Sequence, residues 1–199
     1  MTVEPPLPID PTSSLPPQNG NEWTPRQVAG LILLVLIAAV LVWNVLRPEE
    51  IFVSDMEYEV LKADLFDPRN DQSVEGNPLN IYHSFYAKGI GVHADSEIFI
   101  RFVPENYTHF VAEIGIDGEV GDATSSSVIF SVYGGGAEGR LATDSALLYQ
   151  GPVMRTGMNP RRIHLPVRGM RSLTLSVTAT DDGNEGDHAD WGMARFVVE

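Results

Sequence analysis

The sequence contains no cysteine, which excludes disulfide cross-links, thiolate nucleophiles and cysteine-ligated zinc. Basic residues are scarce as well. Thirteen Lys and Arg stand against 27 Asp and Glu, for a formal net charge of −14. Such a surface repels phosphate backbones and anionic headgroups, so nucleic acid is not an expected partner. Beyond residue 46 no stretch combines helical spacing of apolar residues with caps, and no internal repeat is visible. A βαβ fold and a solenoid are therefore disfavoured. A chain of 199 residues has room for one ordinary domain with an anchor and a tail.

What is present begins with a tail, residues 1–26, rich in proline (Pro5, Pro6, Pro8, Pro11, Pro16, Pro17, Pro25) and small polar residues. It has too little apolar surface to form a core and reads as a disordered, partly polyproline segment. A docking peptide for a proline-reading groove is the sharper alternative. Next comes an uncharged run, VAGLILLVLIAAVLVWNVL, opening at Val28 and closing at Leu46. As a helix it spans about 28 Å, the thickness of a bilayer core. With Trp23 and Trp43 near its ends and Arg26 and Arg47 at its polar limits, residues 27–46 read as one transmembrane helix. A cleaved signal peptide has a basic start, a shorter apolar run and a small-residue cleavage site. Here a proline-rich tail precedes the run and Arg47-Pro48-Glu49 follows it, so the expectation is an uncleaved anchor. Arg26 and Arg47 nearly balance, and charge alone does not orient it.

Residues 47–199 carry short β-branched and aromatic runs between glycine, proline and aspartate clusters, at 98–103, 109–116, 127–133, 162–167, 172–180 and 195–198. This spacing predicts an antiparallel sandwich. In the run at 172–180, Leu173, Leu175 and Val177 alternate with Ser172, Thr174, Ser176 and Thr178, the pattern of a half-buried strand. Val128, Phe130 and Val132 alternate with Ile129, Ser131 and Tyr133, which predicts a central strand.

Three patches place polar residues and glycines at strand ends, where loops on a rigid sandwich carry function. The first is YAKGIGVHA at 86–94, with His93 after the glycines. The second is GIDGEVGD at 115–122, where Asp117, Glu119 and Asp122 alternate with glycines. Oxygen-rich loops of that kind suit calcium, and they also make plain turns. The third is TDDGNEGDHADW at 180–191, which sets Asp187, His188 and Asp190 beside Trp191. An indole face beside hydrogen-bonding acids can grip a sugar. Trp191 could equally belong to the core, and the pair Asp187 and Asp190 invites a glycosidase reading.

In order and spacing these patches resemble the NPCBM family of carbohydrate-binding modules, which accompany many bacterial glycoside hydrolases. The similarity starts near FVSD at 52–55, runs through AKGIGVHADSEI, GIDGEVG and SVIFSVY, and closes on DHADW. It implies an all-β, galactose-binding-like jelly-roll sandwich that is non-catalytic. It implies carbohydrate-binding positions at His93, Glu119, Asp187, His188, Asp190 and Trp191, and a structural calcium at Asp117 and Asp122. The implied partner is a glycan, with galactose-type sugars as candidates. The implied location is the outer side of a bacterial cell membrane, in a single-pass protein with the tail inside. A structural or protein-interaction domain of the envelope is the alternative. A glycine-rich stretch at 134–143 departs from the family's usual short turn and bears on which sugar is taken.

Overall fold

The computed structural model describes residues 23–45, 49–101, 103, 105–121, 126–135 and 146–199. The proline-rich stretch up to residue 22, Asp122 and most of the glycine-rich insertion lie outside these. Backbone contacts divide the chain into two units, Met1–Arg47 and Pro48–Glu199.

The first unit contains α1, Pro25–Val45. It starts two residues before the sequence-based boundary because Thr24 and Gln27 form a capping box. Thr24 N donates to Gln27 Oε1 at 2.9 Å, and Gln27 N donates to Thr24 Oγ1 at 3.3 Å. Pro25 then occupies the first helical position, where a missing N–H costs nothing. The described side chains of α1 are exposed all round, Trp23 and Trp43 included, and no polar face interrupts the apolar surface.

The second unit is a sandwich built from β1 (Glu50–Phe52), β2 (Glu59–Ala63), β3 (Arg69–Asn70), β4 (Leu79–Ile81), β5 (Ser84–Tyr86), β6 (Gly89–His93), β7 (Ser96–Ile100), β8 (His109–Ile116), β9 (Ser127–Gly135), β10 (Ala146–Gln150), β11 (Met154–Arg155), β12 (Arg161–Pro166), β13 (Ser172–Ala179) and β14 (His188–Val197). One antiparallel sheet runs β12-β8-β14-β6-β3, with β1 also paired to β14. The other runs β10-β9-β13-β7-β2, with β11 also on β9. A β4–β5 hairpin stands apart from both.

Alternation along the strands decides which residues meet between the sheets. Ile114 and Ile116 of β8, Ile90 and Val92 of β6, and Trp191 and Phe196 of β14 face Phe130 and Val132 of β9 and Leu173, Leu175 and Val177 of β13 in one apolar core. Trp191 packs edge to face on Phe130, ring centroids 5.0 Å apart. The Ser172, Thr174 and Ser176 face of β13, expected to be open, is buried too. β13 is the middle strand of its sheet, and short hydroxyl side chains between neighbouring strands about 4.8 Å away are readily covered. β9 lies inside the sheet as its apolar pattern predicts, paired to β10 and β13.

Candidate functional site

The same alternation sends the other half of β6, β8 and β14 to the outer face of the first sheet. There His93, His188, Asp190, Gly115, Asp117 and Glu113 stand opposite the core residues. All three patches read as strand ends and loops from the sequence. In the structure, β14 already begins at His188 and β6 carries Gly89 through His93. The three patches therefore meet as adjacent strands, with His188 directly across from His93 and Asp190 across from both Gly91 and Gly115.

The chain from Asp71 to Tyr86 covers this face. Leu79 and Ile81 of the β4–β5 hairpin are fully buried outside the main core. They fit because the strands beneath carry glycine. A Cβ on Gly115 would stand 2.3 Å from Ile81 Cγ2, and one on Gly192 would meet the Tyr86 ring at 2.9 Å. Tyr86 also donates its hydroxyl to Glu113 Oε2 at 2.6 Å, and burial followed by the nearby Glu113 raises its pKa.

Two polar clusters latch the cover down. In the first, His188 Nδ1 donates to Glu119 Oε1 at 2.7 Å, and Glu119 Oε2 accepts Asn77 Nδ2 at 2.9 Å together with the Ser73 hydroxyl. Burial alone would lower the His188 pKa, but Glu119 more than offsets it and the imidazole stands above its usual value. Burial likewise opposes the charge on Glu119, and bonds from His188, Ser73 and Asn77 hold its pKa below the usual range. His93 lies against His188, centroids 5.4 Å apart, with the Phe66 ring over both. Burial lowers its pKa, which favours the neutral ring, and its Nδ1–H is given to Ala94 O at 2.5 Å.

In the second cluster, Asn80 N donates to both Asp117 Oδ2, at 3.3 Å, and Asp190 Oδ2, at 3.2 Å. Asp117 Oδ1 also accepts Glu119 N at 2.7 Å. Burial, then the neighbouring Asp117, raises Asp190 well above the carboxylate range. This enclosure raises Asp117 as well and favours a proton shared between the two carboxyls. Among the described residues, Asn80 Oδ1 and Asp190 Oδ1 are buried without a hydrogen-bond partner.

Asp187 is separate from both. Its Oδ1 accepts Ser127 N of the opposite sheet at 2.9 Å, its Oδ2 has no partner among the described residues, and burial with nearby Asp182 and Asp95 raises its pKa to about 6.

Trp191 is 0% exposed and points into the core, so it offers no ring face to a sugar. This corrects its assignment as a contact residue. Burial was the better use of its large apolar area once β14 became the middle strand of its sheet. His93, Asp187 and Asp190 are also at most 1% exposed. Asp187 and Asp190 are moreover held by backbone N–H groups from different elements, which removes the open acid pair that a glycosidase requires.

The open surface lies beside the second cluster. A cleft of about 250 Å³ is bounded by the hairpin tip, with Asn80, Tyr82 and His83, and by Asp117, Gly118 and Thr156. Tyr82 is 39% exposed and its ring packs on His83 at 4.4 Å. Both have positive φ, 40° and 61°, which turns the two rings out at the tip. Sequence reasoning passed over this hairpin, although NIYHSFY at 80–86 concentrates rings in seven residues.

Comparison with known proteins agrees with this architecture. The CBM51-2 domain of Clostridium perfringens ZmpB, solved in complex with GlcNAc, superposes with a TM-score of 0.65 at 34% identity, over 75% of this chain and 31% of that one. The CBM51 module from C. perfringens GH95, solved with methyl-galactose, gives a TM-score of 0.64 at 25% identity, over 74% of this chain and 99% of that one. Alpha-1,3-galactosidase B of Akkermansia muciniphila is 37% identical over 128 residues, which are 62% of this chain and 14% of that enzyme. A Renibacterium salmoninarum relative is 31% identical over 133 residues, 66% of this chain and 8% of its own length. This chain thus spans a small fraction of its curated relatives. The NPCBM/NEW2 domain model matches residues 49–197, and the chain belongs to that carbohydrate-binding module family.

Proposed function

We propose that this protein is a membrane-anchored, non-catalytic carbohydrate-binding module displayed outside the cytoplasm, and that its sugar sits in the cleft between the aromatic hairpin tip and the acidic loop. The observation that carries the reading is the cleft itself. It pairs an outward Tyr82 ring with the exposed His83 imidazole and the half-buried Asn80 side chain, the combination that suits the C–H face and hydroxyls of a pyranose. The solved relatives with GlcNAc and with methyl-galactose support a small sugar of hexose size as ligand.

In this reading His93, Glu119, Asp187, His188 and Asp190 serve carbohydrate binding from below. They hold the hairpin and the loop in place and do not touch the sugar. Calcium enters at the same level. Asp117, Asp190 and the unpartnered Asn80 Oδ1 and Asp190 Oδ1 are oxygen donors that fit a hard cation, which would replace the shared proton and neutralise the acid pair. Asp122 lies outside the described residues.

α1 serves as the anchor. Its 21 residues rise about 31 Å, and its described side chains, apolar apart from residues of the first turn, are exposed on every side. One shallow site binds weakly, at about micromolar to millimolar Kd, and many copies on one membrane raise the avidity.

The test is a glycan array probed with the full chain in detergent, alongside Tyr82→Ala. Saturable binding to a hexose-terminated glycan, lost in the variant, is the expected result. A folded chain that binds no glycan would shift the reading to an envelope protein-interaction domain, for which Phe85, 73% exposed on the same hairpin, supplies an apolar contact.

A further inference from the structure

At the other end of β8 from the acidic loop, three side chains used by none of the foregoing chemistry come together. His109 opens β8, and His164 lies on the edge strand β12 directly across from Val111. Side chains two apart on a strand share a face, so the two imidazoles are diagonal neighbours. Their rings stack 4.5 Å apart at 14°. β14 brings Glu199 to the same place. Thr108 N donates to Val197 O at 2.9 Å, and Glu199 N donates to Thr108 Oγ1 at 3.0 Å.

Glu199 Oε2 then lies 3.0 Å from His164 Nε2 and 3.6 Å from His109 Nδ1. One ligand atom from each of the three falls within 4.8 Å of the others. Nitrogen and oxygen ligands at about 2.0 to 2.2 Å from one ion stand roughly 2.9 to 3.5 Å apart. One measured separation already meets that requirement and the other misses it by about a tenth of an ångström. A metal lies in the plane of each imidazole that binds it, so one of the two stacked rings turns about its side-chain bonds when the ion enters.

We infer that His109, His164 and Glu199 form a binding site for one divalent transition-metal ion of the zinc, nickel or copper class, with water completing the coordination. Two imidazoles and one carboxylate favour such an ion over calcium or magnesium, which prefer all-oxygen shells. The side chains are 26%, 40% and 49% exposed, so an ion reaches them from solvent without unfolding. Bound there, it clamps the end of β14 to β8 and to the edge strand β12. This is also the end where β1 enters the sheet, with Glu50 paired to Val197.

The experiment is calorimetric titration of the tag-free full chain in detergent with Zn²⁺, with thermal melting followed in parallel. One saturable ion per chain and a melting midpoint that climbs with the logarithm of free Zn²⁺ are expected. His164→Ala alters an exposed side chain and leaves the fold intact. It should remove both effects, and Glu199→Gln should weaken binding at least tenfold. Absence of saturable Zn²⁺ binding by the folded wild-type chain, or undiminished binding by His164→Ala, overturns the assignment. Glycan binding uses the cleft at the opposite end of β8 and is unaffected in either case.

Discussion

Ile81 occupies the space where a side chain on Gly115 would stand, its Cγ2 just 2.3 Å from the ideal Cβ position. The hairpin that carries Tyr82 is therefore seated by an absence. Gly115→Ala should push the hairpin outward at a cost of about 1–3 kcal/mol, as overpacking does in a filled interior, and should weaken glycan binding. Denaturant unfolding checks it. A variant with unchanged midpoint and unchanged binding would mean that the hairpin does not rest on Gly115.

Trp191 and Tyr82 separate stability from recognition. Trp191→Ala empties the space beside Phe130 and should cost about 3–5 kcal/mol, whereas Trp191→Phe should keep glycan binding with a smaller loss. Tyr82→Ala, at an exposed tip, should leave the melting midpoint within a degree or two and reduce binding at least tenfold. If Trp191→Phe abolished binding while the fold survived, the indole would be a contact residue after all.

The raised pKa of Asp187 gives a pH signature. Its folded value of about 6 lies above the ordinary value for an unfolded aspartate, about 3.9. The folded domain thus binds the proton more tightly than the unfolded chain does. The contribution of Asp187 to stability is complete below about pH 4 and is lost as the pH rises through 6. Asp187→Asn removes the titration. Urea unfolding at pH 4 and pH 7 should show wild type losing stability relative to the variant across that interval, and a constant difference would contradict the burial of the acid.

Calcium at the Asp117–Asp190 cluster predicts a rise in melting midpoint of the full chain on adding Ca²⁺, reversed by a chelator. The rise should be absent in Asp190→Asn, which cannot supply the second charge. Equal midpoints with and without Ca²⁺ in the wild type would leave the shared proton as the only neutralising species there.

The fold was legible where period-two patterning was strong. β8 at His109–Ile116 matches the predicted run residue for residue, and β9 and β13 differ by a residue or two at one end. The short strands β3, β4, β5 and β11 have two or three residues each, too few for any alternation to register. β6 was missed because GIGVH contains two glycines, which are read as turn residues although here they make room. A Cβ on Gly91 would lie 2.4 Å from Gln72 O. At the site, motif residues were found and their role was misjudged. Sequence proximity of Asp187, His188, Asp190 and Trp191 suggested one surface, but alternation on β14 sends Trp191 inward and Asp190 outward. The exposed ring came from Tyr82, whose positive φ no propensity scale anticipates for a tyrosine.

β14 is the last strand of the sandwich and lies between β8 and β6, with β1 on it as well. Until residues 188–197 have been synthesised, no strand hydrogen-bonds β8 to β6 in the first sheet, and β1 has no partner among the described strands. The first sheet therefore cannot be completed strand by strand as it leaves the ribosome; it waits for its middle strand and closes around it. A stop codon that removes only the final ten-residue strand would split the first sheet at its centre and empty the places of Trp191 and Phe196 in the core, and the product would be a target for chaperones and proteases.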